Sequence, residues 1–186
     1  MELGEAAPPK REICCSRMFG QRLTAIEPIK QALGICTQRA AEKLRARNLL
    51  CNKIRIRIRT WMFNSNEPKY ANGTLVELPH FANDVRLMTK GATEAVNRLF
   101  RPGYKYSKAE VLLLDLRQLG EFTDDLFAAP RCGGVDERAG RDQYALGRGT
   151  LGSGSVPTDP EWAIRRDMMS QSYTTKLDQL WTVRCD

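Results

Sequence analysis

The chain has 186 residues, with 29 Lys and Arg against 22 Asp and Glu, a net charge of +7, and 42% apolar residues. This length fits one ordinary domain with an additional segment, or two small domains, and the apolar content excludes a globally disordered chain. No apolar run approaches the ~20 residues of a membrane span, and residues 1–9 lack the apolar centre of a signal peptide, so we expect a cytoplasmic protein without a membrane partner.

The first two predicted elements are a strand and a helix. Residues 11–19 have the composition of a short strand, which we expect to end at Gly20. Thr24 and Glu27 have the spacing of a capping box, which predicts that a helix begins there. Apolar residues then recur at helical spacing as far as Leu44, and Asn48 is the expected end of this helix.

The third element has the clearest pattern in the chain. In residues 53–63, three isoleucines alternate with three arginines, namely Ile54, Ile56 and Ile58 with Arg55, Arg57 and Arg59. Successive side chains of a strand point to opposite faces. The pattern therefore predicts a strand with one apolar face, covered by other elements, and one cationic face in contact with solvent.

The remaining elements complete a recognisable order. Residues 64–73 predict a loop, and residues 74–78 predict a strand that stops before Pro79. Asn83 or Asp84 can cap a second helix that ends at residues 101–103, and residues 109–116 form the last strand. The order strand–helix–strand–strand–helix–strand predicts an α+β fold, the βαββαβ or ferredoxin-like arrangement. Two helices then cover one face of a four-stranded antiparallel sheet, and the arginine face stays open.

The composition changes after Gln118. Residues 128–160 contain much of the chain's Gly, with Pro, Ser, Asp and Arg and little periodicity, which predicts a flexible linker over 119–160. Trp162, Ile164, Met168 and Met169 predict a short helix within residues 161–186. Together with a disordered N-terminus at 1–9, this divides the chain into segments 1–9, 10–118, 119–160 and 161–186.

The positive charge is concentrated in the predicted sheet domain. Residues 10–118 contain 21 Lys and Arg against 9 Asp and Glu, whereas residues 119–186 contain 8 against 11. Three guanidinium groups at ~6.6 Å intervals on one strand can bind phosphates along a nucleic-acid backbone. The alternative is an edge strand charged to prevent aggregation. The predicted DNA-binding residues are Arg17, Arg55, Arg57, Arg59, Lys105 and Lys108.

Two other functional classes remain open on this fold. An RRM-like domain would bind single-stranded RNA by stacking bases on sheet aromatics, but residues 74–78 contain none. A small acylphosphatase-like enzyme would need an anion-binding loop, for which Gly20-Gln21-Arg22 is the candidate. Six cysteines without CxxC spacing and the single histidine, His80, do not match a zinc site, so we expect neither a metal nor a cofactor.

Several longer stretches resemble one family. They are SRMFG at 16–20, QRAAEKLR at 38–45, NEPKY at 66–70, YKYSKA at 104–109, GRGTL at 147–151, WAIRRDMMS at 162–170 and YTT at 173–175. In their order and spacing they resemble the C-terminal part of UmuC-type Y-family translesion DNA polymerases, which act in DNA damage tolerance and SOS mutagenesis. The resemblance covers nearly the whole chain beyond residue 10.

The resemblance implies a function and partners. Residues 10–118 would be the little-finger domain, which binds the primer–template DNA through its sheet. Residues 123–127 occupy the place of a motif that binds the sliding clamp, and are Thr123, Asp124, Asp125, Leu126 and Phe127, of which the last two keep the apolar pair. A UmuD-type accessory subunit and a recombinase filament are further implied partners. The polymerase palm and its metal-binding carboxylates are not in this sequence, so we expect no catalysis by this chain.

Overall fold

The computed structural model describes residues 11–118, 145, 154, 156–157 and 159–164. Within them lie six elements, β1 (Ile13–Leu23), α1 (Ile26–Arg45), β2 (Leu49–Thr60), β3 (Ala71–Ala82), α2 (Val85–Leu99) and β4 (Tyr106–Gln118). The strands form one antiparallel sheet of order β1-β4-β2-β3. The predicted α+β fold and its element order are confirmed.

Both helices cover the same face of the sheet, which we call the covered face. Ile54, Ile56 and Ile58 of the central strand β2 lie there with 0, 0 and 1% of their surface exposed. They join one core cluster with buried residues of both helices, such as Leu33 and Met88. Full burial of such a side chain stabilises the fold by ~1.5–3 kcal/mol, so the alternation in β2 fixes which face meets the helices.

Both ends of helix α1 differ from the prediction, since the helix ends at Arg45, before the expected end at Asn48. Its N-cap is Ala25, without a side-chain cap, and Thr24 therefore lies one residue before the cap position. The carboxylate of Glu27 accepts a hydrogen bond from Lys30 instead, so the predicted capping box is wrong. At the other end Asn48 has φ 53°, a left-handed conformation that Asn tolerates well, and it turns the chain into β2.

Helix α2 has the predicted side-chain cap. The Asp84 carboxylate accepts hydrogen bonds from the backbone N–H groups of Arg86 at 2.7 Å and Leu87 at 3.4 Å.

Among the residues that the structure describes, no helix is long and apolar enough to cross a membrane.

The two edge strands, β1 and β3, continue past the residues at which the sequence predicts that they stop. β3 continues through Pro79, which lies in the stretch where pairing with β2 shifts between Glu77 and Ala82. Pro has no N–H to donate, and an edge strand at an irregularity does not require one. β1 likewise continues through Gly20 to Leu23, with an irregularity between Met18 and Leu23.

A short piece of the C-terminal region, residues 159–164, packs on the covered side next to β1; we call it the tail segment. Trp162 is 2% exposed, and its indole N–H donates to Gln31 Oε1 at 3.1 Å. The ring lies edge-on to Phe19 at 6.1 Å between centroids. Gly20 donates its N–H to the Trp162 carbonyl at 2.9 Å, so the tail segment satisfies part of the exposed edge of β1.

The close approach of the tail segment requires a glycine at position 20. A Cβ there would lie 2.5 Å from the carbonyl oxygen of Ala163. The predicted C-terminal helix is not present in residues 161–164, which form a turn closed by a hydrogen bond from Ala163 N to Pro160 O at 2.9 Å. Met168 and Met169 lie outside the described residues.

Candidate nucleic-acid interface

The face of the sheet opposite the helices carries the arginines, and we call it the open face. Arg55, Arg57 and Arg59, together the arginine ladder, are all exposed, whereas the isoleucines between them are buried. The predicted division of β2 into an apolar and a cationic face is therefore confirmed. Within the described part of the chain, none of the three guanidinium groups forms an ion pair.

Strand β4 extends the charged surface sideways. Its register places Lys108 opposite Arg59 and Glu110 opposite Arg57, on the same face of the sheet. Lys108 Nζ lies 3.2 Å from the Glu110 carboxylate, and both side chains are about one-fifth exposed. Together with Arg57 and Arg59 they line a shallow depression. One carboxylate thus lies within the cationic surface and lowers its positive potential.

Strand β3, which pairs with the other side of β2, carries small residues next to the ladder. Gly73 and Ala71 lie opposite Arg57 and Arg59, so no large side chain covers the ladder there. A Cβ on Gly73 would lie 2.5 Å from Cγ of Arg57, which shows that the aliphatic stem of Arg57 passes directly over the glycine. Gly73 therefore positions Arg57, a role that the sequence alone did not indicate because the register was unknown.

Two of the six predicted DNA-binding residues lie apart from the ladder. Arg17 is opposite the buried Ala109 in the register of β1 and β4, which places it on the covered face. Its guanidinium carbon is 5.8 Å from the centroid of the Trp162 ring. Lys105 precedes β4, with Nζ 3.5 Å from a Glu67 carboxylate oxygen in the β2–β3 loop. The expectation that Arg17 extends the same surface is corrected by this placement.

The surroundings of Arg17 include a pair of thiols on the covered side. A hydrogen bond with the Cys36 thiol lowers the pKa of Cys15; burial opposes this shift, and the cations of Lys43, Arg39 and Arg17 assist it. The same hydrogen bond and burial raise the pKa of Cys36. The positive charge of Arg17 is therefore directed at Cys15 and the Trp162 ring rather than at the open face.

On the open face, Cys14 lies opposite Leu112 beside the acidic and basic pair of β4. Partial burial raises the pKa of its thiol, and the Glu110 carboxylate raises it further while Lys108 opposes the shift. The thiol thus stays neutral near pH 7 and adds no negative charge to the surface.

The remaining predicted sites can be placed only in part. Residues 123–127, the predicted clamp-binding residues, lie outside the described residues. Gly20-Gln21-Arg22, the candidate anion-binding loop of an acylphosphatase-like enzyme, belongs to β1 and is extended strand. Nowhere in the part of the chain that the structure describes do three or more His, Cys, Asp or Glu side chains form a group able to hold a metal ion.

The open face also differs from an RNA-stacking sheet. In register with the ladder and Lys53, its other described positions are Cys14, Ser16, Met18, Ala71, Gly73, Leu75, Glu77, Lys108, Glu110, Leu112 and Leu114. None of these is aromatic, whereas RRM domains stack bases on aromatic residues of their central strands. The large exposed aromatic side chains nearest to the ladder lie beyond the end of β2, at Trp61 and Phe63.

Comparison with known proteins identifies matches over most of the chain. The model of the impB/mucB/samB family C-terminal domain matches residues 10–126. A second model, a domain of unknown function called DUF4113, matches residues 144–183. Protein UmuC of Salmonella typhimurium is 37% identical over 191 residues, which cover 99% of this chain and 44% of that protein. Protein ImpB of the same species is 37% identical over 179 residues, covering 95% and 42% respectively.

The chain therefore spans less than half the length of these curated relatives. A solved Y-family DNA polymerase chimera aligns with a TM-score of 0.48 at 12% sequence identity, over 60% of this chain and 30% of that one.

Proposed function

The chain belongs to the impB/mucB/samB family, because residues 10–126 match the C-terminal domain of that family. From this membership we propose that the chain is the DNA-binding part of a UmuC-type translesion DNA polymerase. Its role is to bind primer–template DNA during damage tolerance and SOS mutagenesis. We assign the polymerase chemistry to the portion of such polymerases that this chain does not match. The present chain binds DNA without catalysing the reaction.

One observation carries the proposal. The arginine ladder stands on the open face of a central strand, with its guanidinium groups outside any ion pair of the described residues. Each guanidinium presents a planar fork of donors suited to phosphate oxygens. The alternative of charges that protect a sheet edge does not apply, because β2 is paired on both sides by β4 and β3.

The geometry favours contacts with the DNA backbone over contacts with bases. Along β2 the three side chains recur at ~6.6 Å on the open face of the sheet, whereas reading of base edges requires an element that enters a groove. Lys108, next to Arg59, adds a fourth cation to the same surface. We expect binding that tolerates any sequence and depends strongly on salt, a property suited to a template with damaged bases.

The test is a fluorescence-anisotropy titration of labelled primer–template DNA with the ladder variant Arg55→Ala/Arg57→Ala/Arg59→Ala. We expect its affinity to fall roughly 10-fold or more at moderate salt. The matched control, Arg39→Ala/Lys90→Ala/Arg98→Ala, removes the same charge from exposed helix positions. It should bind nearly as well as the unmodified chain. Equal affinity of the ladder variant and the unmodified chain would contradict the proposal.

Competition distinguishes the RNA-binding alternative. Unlabelled duplex DNA should displace the labelled primer–template more effectively than single-stranded RNA of the same length. A preference for the RNA would favour an RRM-like function instead.

Attachment to the sliding clamp is proposed from the sequence resemblance. Leu126 and Phe127 are two adjacent large apolar residues of the kind that linear motifs insert into a pocket on a partner. The double variant Leu126→Ala/Phe127→Ala should abolish retention of the chain on immobilised clamp and leave DNA affinity unchanged. Retention of this variant at the original level would exclude the motif. Association with a UmuD-type subunit and a recombinase filament is proposed on the same resemblance.

A further inference from the structure

The loop directly after β2 exposes two aromatic rings, and we call Trp61 and Phe63 the aromatic tip. Trp61 is 37% exposed and Phe63 89%, the highest value among the large apolar side chains that the structure describes. The two rings contact each other edge to face, with centroids 6.0 Å apart. Exposed apolar side chains that cluster, rather than occurring singly, indicate a surface that binds something.

The base of this loop is fixed on both sides. Thr60 donates its N–H to Tyr70 O at 2.8 Å, and Tyr70 N donates to the Thr60 hydroxyl oxygen at 2.9 Å. The Tyr70 hydroxyl donates to Leu99 O at 2.7 Å, which ties the loop to the end of α2. Further along, Glu67 pairs with Arg22 of β1 and with Lys105 before β4. The aromatic tip therefore projects from an anchored base, which reduces the entropy lost when it binds a partner.

The aromatic tip continues the arginine ladder. Arg55, Arg57 and Arg59 recur every two residues along β2, and Trp61 is the second residue after Arg59, directly past the last strand residue, Thr60. A nucleic-acid strand whose phosphates follow the ladder would therefore bring its next nucleotides to the aromatic rings. Positive charge followed by exposed aromatic rings is the combination with which proteins bind single-stranded DNA, because every base has a face that can stack.

We propose that the aromatic tip stacks on unpaired bases of the DNA strand whose backbone lies on the arginine ladder. The ligand is single-stranded DNA that continues from the duplex, such as the unpaired template beyond the primer end. This inference rests on the proposed DNA binding and adds the part of the substrate that the tip contacts. Each stacked base contributes a sequence-tolerant contact, so the tip gives a preference for DNA with a single-stranded extension over blunt duplex.

The experiment compares two labelled DNAs, a blunt duplex and the same duplex with a single-stranded extension. The unmodified chain should bind the extended DNA more tightly. Trp61→Leu/Phe63→Leu, which keeps apolar bulk but removes the rings, should lose roughly 5- to 100-fold in affinity for the extended DNA. It should bind blunt duplex with unchanged affinity and unchanged salt dependence. Trp61→Phe/Phe63→Tyr keeps two rings and should retain most of the preference.

A matched control and the ladder variant separate the two proposals. Met18→Ala/Leu75→Ala removes two exposed apolar side chains from the open face and should leave the preference unchanged. The ladder variant should bind both DNAs more weakly. Unaltered binding by that variant would contradict the proposed function, while a preference lost only in the leucine variant would still support stacking at the tip. Stacking is overturned if the leucine variant retains the preference, if it weakens both DNAs equally, or if the ring-preserving variant loses as much as the leucine variant.

Discussion

The two faces of the sheet are built from the same strands but differ in their exposure to solvent. On the covered face, Ile54, Ile56 and Ile58 are excluded from water, and the helices and the tail segment lie over that side. On the open face, the arginines one residue away stay exposed, and the described elements leave them uncovered. A one-residue shift in register would exchange the two sets. Under the proposed function, stability and DNA binding depend on alternate residues of a single strand, and substitutions should separate them.

The largest expected effect comes from the covered face. Ile56→Ala should lower the free energy of unfolding by about 2–5 kcal/mol, because it removes a fully buried side chain and leaves a cavity. Denaturant unfolding measures the loss. DNA affinity, determined at a temperature where the variant is folded, should be unchanged. A loss of affinity as large as that of the ladder variant would show that the two faces are not independent.

The next effect comes from the tail segment, which also belongs to the covered side. Trp162→Ala removes the ring beside Phe19, and Gly20→Ala places a Cβ against the Ala163 carbonyl. Each should lower the free energy of unfolding by roughly 1–3 kcal/mol, since undocking of the segment limits the loss. Because both act on the same contact, the double variant should be no less stable than the worse single variant. Additive losses in denaturant unfolding would mean that the two residues act separately.

On the open face, one substitution should strengthen binding. Glu110→Gln removes the carboxylate beside Lys108 and Arg57, so we expect affinity for duplex DNA to rise about 3- to 10-fold at low salt. Anisotropy titrations measure the change. The control Glu94→Gln removes the same charge from an exposed position of α2 and should have little effect. Unchanged or weaker binding by Glu110→Gln would show that DNA does not approach this part of the sheet.

An effect of similar size depends on pH and concerns the helix layer. Burial opposes ionisation of Asp84, but hydrogen bonds from the Arg86 side chain and the N–H groups of Arg86 and Leu87 outweigh it and lower the pKa of the carboxyl below 3.8. The ionised cap therefore stabilises the fold above about pH 4, and this stabilisation is lost as the pH falls through the lowered pKa. Asp84→Ala should cost about 0.5–2 kcal/mol near pH 7.

Unfolding measured at pH 7 and at pH 2.5 checks this prediction. The difference between Asp84→Ala and the unmodified chain should shrink in acid. A difference independent of pH would assign the effect to helix propensity or packing rather than to the ionised cap.

The faces of β2 could be predicted from the sequence, because alternation is a local property. The same holds for Asp84, whose cap acts within three residues of itself. The face of Arg17 could not be predicted, since nothing near it in sequence shows that Ile13 and Phe19, rather than Cys14 and Met18, are the buried set. The continuation of β3 through Pro79 depends on its edge position, which is a property of the whole sheet.

The composition of the site depends on register more than on pattern. Glu110 and Lys108 are adjacent to the ladder only because β4 pairs with β2 in a particular alignment, and Gly73 underlies Arg57 because β3 does so on the other side. The docking of Trp162 on Gln31 joins residues 131 positions apart, for which the sequence gives no local signal. Long-range pairing thus decided which cations share a surface.

The central claim is that the arginine ladder contacts DNA phosphates, and the salt dependence of duplex binding tests it most directly. Three phosphate contacts should contribute about 2.7 to the slope of log affinity against log salt concentration. The slope should therefore become shallower by about that amount in Arg55→Ala/Arg57→Ala/Arg59→Ala and stay nearly unchanged in Arg39→Ala/Lys90→Ala/Arg98→Ala. Equal slopes for the two triple variants would contradict the claim, because they would show that only net charge matters and not the face that carries it.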